Sequence, residues 1–322
     1  MNTFQKTALT TLIATLLLIA VGSLVRVSGA GLGCPDWPKC WGCWFPPSGV
    51  EEIDPNYLKE KGISIEDFNP TKMWIEYINR LVGVTIGLLV LTTFFRALPY
   101  RQNQPRIFWG ALLSVFLVGF SGWLGGQVVQ SGLKPGMITL HMVSAMMLLC
   151  VLLYITFLAV RGKPITTLPP LIHQRLIHLS TLLFGVIALQ MLLGTQVREA
   201  VDPYIKNAAG MDRSAWMASI GWIDHIHRSF TWLVIVASAL FLYTVYKHNM
   251  SGFFRTLTHT NIVLIVAQAL SGIALAYGGL PHIFQVLHLF TSALLLSTIF
   301  ALVLMSRQHI KGQTSEDENQ KF

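Results

Sequence analysis

Eight long apolar runs constrain this chain more than any other feature. "TALTTLIATLLLIAVGSLV", "LVGVTIGLLVLTTFF", "IFWGALLSVFLVGFSGWLGG" and "ITLHMVSAMMLLCVLLYITFLAV" occupy the first half. "LIHLSTLLFGVIALQMLLG", "FTWLVIVASALFLYTVY", "NIVLIVAQALSGIALAY" and "IFQVLHLFTSALLLSTIFALVLM" occupy the second. With its flanks, each approaches the roughly 20 residues a helix needs to cross a bilayer core. No water hydrogen-bonds the backbone there, so only helices or closed barrels can span it, and the alternation of barrel strands is missing. Charged residues make up 12% of the chain, against about 25% in average soluble domains. The expectation is an all-α membrane protein with eight transmembrane helices surrounded by lipid. The first run is read as a retained helix, because no A-x-A cleavage site follows it.

Lys and Arg placement gives the orientation. Arg96, Arg101, Arg106, then Arg161, Lys163, Arg175, then Lys247 and Arg255 fill the even-numbered connections, and Arg307 and Lys311 follow the last run. The long first loop, residues 29–73, carries Asp36, Glu51, Glu52, Asp54, Glu60, Glu66 and Asp67. Both termini are therefore expected in the cytoplasm, with the chain in the inner (cytoplasmic) membrane. The net charge of +8 marks the inner face. Without a phosphate loop or basic-aromatic array, nucleic acid is not an expected partner. Cys34, Cys40 and Cys43 fall in the outward loop, where an oxidising compartment allows one disulfide, and spacing does not say which two pair. "CWGC" is followed by Trp44 rather than His, so it is not a c-type heme attachment site.

The chain also repeats itself. "WIEYINRLVG" from Trp74 returns as "WIDHIHRSFT" from Trp222, an offset of 148 residues. His141 in "ITLHMVS" is matched by His288 in "FQVLHLF", "FSGWLGG" by "ALSGIAL", and "GSLVR" at Arg26 by "GTQVR" at Arg198. Four matched features in matched order predict two pseudo-symmetric four-helix bundles, 1–165 and 166–310, followed by a disordered tail, 311–322. The axis relating the bundles should lie along the membrane normal.

At spacings of three and four, Glu76, Asn79 and Arg80 share a helix face, as do Asp224, His227 and Arg228. Ionisable groups inside a membrane usually face the bundle interior for a functional reason. His227 and His288, from two helices at similar depth, suit the axial positions of one heme iron. Arg228 and Arg198 are placed to pair with its propionates. His141 is the matching ligand in the first half, with Asn79, Arg80 and Arg26 around it, but Asn79 stands where the second half has His227. Glu76 is the candidate general acid or base, with an i,i+4 ion pair to Arg80 as the plainer reading. Asp224 is expected to orient Arg228. His173, His178, His225, His248, His259, His282 and His309 receive no role.

Together "IEYINRLVG", "IDHIHRSFTW", the single His on the fourth and eighth helices and the loop "SGAGLGCPDWPKCWG" resemble the heme A synthase family over nearly the whole chain. The resemblance implies a membrane oxidoreductase that converts the C8 methyl of heme O to a formyl through a hydroxymethyl intermediate, for heme-copper (cytochrome) oxidase assembly. It implies a heme B cofactor between His227 and His288. It also implies heme O bound in the first half near His141, with an essential glutamate at Glu76, and a cysteine pair at Cys34 and Cys40, Cys43 being extra. Family members commonly have His where this chain has Asn79. Heme O would be delivered by heme O synthase, and homo-oligomerisation is left open. The alternative is a diheme b-type cytochrome moving electrons from quinol, which calls for a second bis-His pair where Asn79 stands. A transporter would place its polar groups at the midplane instead.

Overall fold

The computed structural model describes residues 1–160, 169–206 and 219–308. Eight helices in it are long and apolar enough to cross a membrane. They are α1 (Thr3–Val27), α2 (Pro70–Ala97), α3 (Pro105–Gln130), α4 (Met137–Val160), α5 (Pro170–Lys206), α6 (Trp222–Lys247), α7 (Gly252–Tyr277) and α8 (His282–Arg307). The expected tail, His309 and the expected boundary at 165/166 lie outside the described residues. Helix starts follow ordinary capping chemistry. Asn2 and Gln5 form a capping box on α1, and Asn69 accepts from the Lys72 N–H ahead of α2, with Pro70 in the first turn. Large side chains such as Phe116, Trp232, Val263 and Leu270 point outward from the helices, as hydrocarbon solvent requires. This is a multi-pass membrane protein.

One helix runs further than its apolar stretch. The apolar run of α5 ends at Gly194, yet the helix continues to Lys206 with Pro203 inside it. An i,i+4 ion pair between Arg198 and Asp202, 3.0 Å, supports the added turns, and a pattern read from apolar residues alone does not register it.

The chain divides into two compact units, Met1–Thr156 and Phe157–Phe322. In the first, α1 packs on α2 and α2 on α3. The α1–α2 seam explains the threonines of α1. Thr7, Thr11 and Thr15 each bond back to a carbonyl four residues earlier, and the Thr11 hydroxyl meets that of Thr93 at 2.9 Å. Each hydroxyl is satisfied within its own turn while one small polar stripe joins two helices. α3 and α4 touch at Gly110, where a Cβ would fall 2.4 Å from the Ile155 side chain. In the second unit α5 packs on α6 and α8, and α7 on α6 and α8, closing a ring of four helices.

The loop between α1 and α2 folds into a cap with its own core. Cys34, Cys40, Trp41 and Ile53 bury against Met73 and Tyr77 of α2, flanked by Tyr57, Leu58, Ile63 and Phe68. A short helix, Pro55–Lys61, carries two of these flanking side chains. Burial raises the Tyr57 hydroxyl above the ordinary tyrosine range, and the Asp36 carboxylate beside it adds to the shift. The cap approaches α2 most closely at Gly33, where a Cβ would fall 2.3 Å from the Lys72 carbonyl oxygen and 2.7 Å from the Met73 nitrogen. Backbone cannot yield as a flexible side chain would. Gly33→Ala should therefore lower thermal stability in detergent by about 1–3 kcal/mol. Gly119→Ala, whose Cβ meets nothing within 4 Å, should change it by less than about 0.5 kcal/mol; tryptophan-fluorescence melts of the two variants check this.

Candidate functional site

Near the start of α6, Asp224 is almost fully buried and pairs with Arg228 one turn on. Arg228 also reaches the Tyr277 hydroxyl at 3.5 Å, and its side chain remains 39% exposed. His227, between them in sequence, sits over α5. A Cβ at Gly194 would come within 3.1 Å of its Cε1, so the glycine is what admits the ring. The His227 carbonyl accepts from Gln190 Nε2 at 3.0 Å, and the same amide donates to Thr231 at 3.0 Å. His288 repeats the arrangement on α8. Its carbonyl accepts from Gln268 Nε2 at 2.8 Å, that amide also donates to Thr291 at 2.9 Å, and its Cε1 would lie 3.5 Å from a Cβ at Gly272.

The ring nitrogens differ. His288 Nδ1 is held by the Ser271 hydroxyl at 2.8 Å, a contact that leaves Nε2 unclaimed. His227 Nδ1 is buried without a protein partner. The two imidazoles stand on α6 and α8, which both pack on α5. Among the described residues no three His, Cys, Asp or Glu converge as a bare-ion site. Two imidazoles with nitrogens to spare therefore fit an iron whose other four ligands come from a porphyrin. The hydrogen bond on His288 Nδ1 is the kind of outer contact that fixes a ligand's orientation.

The first unit builds half of this. His141 Nδ1 contacts the Ser121 carbonyl at 3.0 Å, and its Cε1 would lie 3.5 Å from a Cβ at Gly125. The hydroxyls of Ser121 and Ser144 meet at 2.9 Å, on the same helix pair of the unit as the Gln268–Thr291 contact. The other side differs. A Cβ at Gly22, the sequence counterpart of Gly194, meets nothing within 4 Å, and Asn79 Oδ1 is buried without a partner. Arg26 lies in the last turn of α1. Arg198 is engaged by Asp202.

Glu76 and Arg80 are gathered by the cap. Glu76 Oε2 accepts from the Cys34 N–H at 2.9 Å and Oε1 from Arg80 Nη2 at 2.5 Å. Arg80 Nη2 also donates to the Cys34 carbonyl at 3.0 Å, and Nη1 to those of Asp36 and Lys39, both at 2.8 Å. Its terminal nitrogens are thus spent on Glu76 and the loop rather than left to fork a propionate. Cys34 and Cys40 form a disulfide, and Cys43 is free. His225 faces away from His227, lining a surface groove of about 460 Å³ with Trp222, Ile226, Ser229, Phe230 and Leu233. Sequence reading missed Gln190 and Gln268, although amides inside apolar runs were a usable signal, and missed the glycine seats, which carried none.

Residues 5–300 match the family described as COX15-CtaA, cytochrome oxidase assembly protein. The chain belongs to that family. The heme A synthase of Shewanella oneidensis is 28% identical to this chain, the match covering 91% of this chain and 93% of the relative. The heme A synthase of Nitrosomonas eutropha is 25% identical over 86% and 88% of the two chains. That of Bartonella tribocorum is 22% identical over 86% and 85%.

Removing one partner of a buried ion pair costs about 3–5 kcal/mol. Arg80→Ala, which strands Glu76 and frees three loop carbonyls, should fall in that range. It should also expose the Gly29–Asn69 loop to protease. Limited proteolysis beside a thermal melt measures both.

Proposed function

We propose that this chain is a heme A synthase, a membrane oxidoreductase that converts the C8 methyl of heme O to a formyl through a hydroxymethyl stage. The observation that carries this reading is the pair of glycine-seated imidazoles, His227 and His288, each with a ring nitrogen unclaimed by protein. Similarity to heme A synthases over most of the chain agrees with it. His227 and His288 would hold heme B, and Arg228, half exposed beside them, would meet a propionate; Arg198, tied to Asp202, would do so only by leaving that partner. Bound there, heme B supplies one-electron transfer.

The first unit would receive heme O. His141, with Nδ1 committed to Ser121, offers Nε2 to the substrate iron. Asn79 offers an amide where a second imidazole would otherwise stand, which suits a guest that must leave after reaction. Glu76 accepts from the Cys34 N–H on Oε2 and from Arg80 on Oε1, and as a carboxylate it would accept a proton from water or from the substrate's hydroxymethyl oxygen. Arg80 and the Cys34 N–H position that carboxylate, and Arg26 lies one helix away. The setting would be the bacterial inner membrane with both heme sites toward the outer face, and heme O would arrive from heme O synthase. A diheme cytochrome would need two permanent bis-His sites, and Asn79 cannot complete the second.

Three outcomes are expected. His227→Ala and His288→Ala each remove the low-spin heme absorption of the purified protein, whereas Asn79→Ala leaves it intact. Glu76→Gln lowers formyl product by about 10²–10⁴-fold with heme B content unchanged. Expressed in a host that makes heme O, the chain yields hydroxylated heme O or heme A when its non-covalent hemes are extracted and chromatographed. Heme B alone would mean a cytochrome instead.

A further inference from the structure

The cap holds three cysteines, and the middle one has two neighbours. Cys40-Trp41-Gly42-Cys43 is a two-residue hairpin. The Cys40 N–H donates to the Cys43 carbonyl at 2.8 Å and the Cys43 N–H to the Cys40 carbonyl at 3.1 Å, while Trp41 and Gly42 adopt φ of 54° and 79°, as a type I′ turn requires. Residues that exchange both such bonds stand about 5.5 Å apart at Cα, inside the roughly 4.4–6.8 Å that a disulfide spans. Cys40 is bonded to Cys34 across a Cα separation of 4.6 Å. It is therefore placed to bond with either cysteine.

The surroundings hold the hairpin through contacts that do not involve Cys34 Sγ, which lies 3.8 Å from the Met73 carbonyl. Trp41 Nε1 donates to the Gly33 carbonyl at 2.8 Å, the Gly42 N–H donates to Asp36 Oδ2 at 3.0 Å, and the Tyr57 ring covers Gly42, with 3.1 Å to a notional Cβ. The register between Cys40 and Cys43 is thus kept whichever partner Cys40 takes. Access differs as well. Cys34 and Cys40 are both 0% exposed, while Cys43 is partly exposed with a free thiol, so Cys43 is the sulfur an outside thiol or disulfide can reach.

We propose that the disulfide migrates between Cys34–Cys40 and Cys40–Cys43. Cys43, as thiolate, attacks Cys40 Sγ; the Cys40–Cys43 bond forms, the Cys34–Cys40 bond breaks, and Cys34 leaves as a thiolate that takes up the proton Cys43 released to solvent. No electron is gained or lost. The group set free belongs to the residue whose N–H holds Glu76 Oε2 and whose carbonyl holds Arg80. The thiol state of the cap surface is thereby joined to the buried carboxylate.

Disulfide mapping tests this on the full-length protein in detergent, independently of any heme chemistry. The protein is held across a pH series through the ordinary thiol range, quenched in acid, alkylated, digested and analysed by mass spectrometry. Two connectivities are expected, the second with Cys34 alkylated and Cys40 joined to Cys43. Alkylation of Cys34 should be at least about tenfold slower in Cys43→Ser, which lacks the attacking thiol. Cys34→Ser, oxidised with glutathione disulfide, should contain Cys40–Cys43. The proposal is overturned if the unmutated chain yields only Cys34–Cys40 at every pH, or if Cys34 is labelled equally fast in Cys43→Ser. The pH series on the unmutated chain decides the matter should Cys34→Ser not fold.

Discussion

Arg80 is the tie on which the first half's polar end depends. Its guanidinium stands between a buried carboxylate and three carbonyls of a loop some forty residues away in sequence. The loop carbonyls have no strand or helix of their own to satisfy them, and an unsatisfied polar group at a buried position costs about 1–3 kcal/mol. One planar cation with four terminal N–H groups answers Glu76 and the loop together. The loop can consequently fold down as a cap and bring the Cys34 N–H to the second carboxylate oxygen. Lysine at this position would offer a single nitrogen and could not address partners in so many directions.

The same demand, that polar groups in an apolar medium find partners, organises the second half by other means. There Gln190 and Gln268 each spend one amide nitrogen on a histidine carbonyl and a threonine hydroxyl of the neighbouring helix. The amide fixes the backbone from which each imidazole projects, and a glycine opposite makes room for the ring. Position and space are thus supplied by different residues, and neither is an obvious heme contact. His141 follows the same plan with hydroxyls in place of an amide. Asn79 departs from it, and the point of departure is the side that a transient guest would need open.

The eight helices were legible because bilayer thickness writes itself into the length of apolar runs. That His227 and His288 belong to one helix ring was legible from the repeat, since it assigns both to the second half. The glycine seats were not. A glycine in a membrane helix has many uses, and only coordinates distinguish Gly194, which meets a ring, from Gly22, which meets nothing. The fate of Arg80 was hidden for a related reason. Its partners are main-chain carbonyls, and carbonyls are the same at every residue. The extension of α5 past Arg198 escaped because the added turns are held by charge rather than by greasiness.

The complete burial of Cys34 and Cys40 has a consequence for biogenesis. Any enzyme that installs a bond between these sulfurs needs to touch them, and in the finished protein it cannot. Direct oxidation of the pair therefore needs the loop still loose, before Met73 and Tyr77 close over it, and in the folded cap an oxidant reaches these sulfurs only by way of the partly exposed Cys43. Direct crosslinking thus precedes docking, and a chain that docks while still reduced depends on Cys43 for its oxidation.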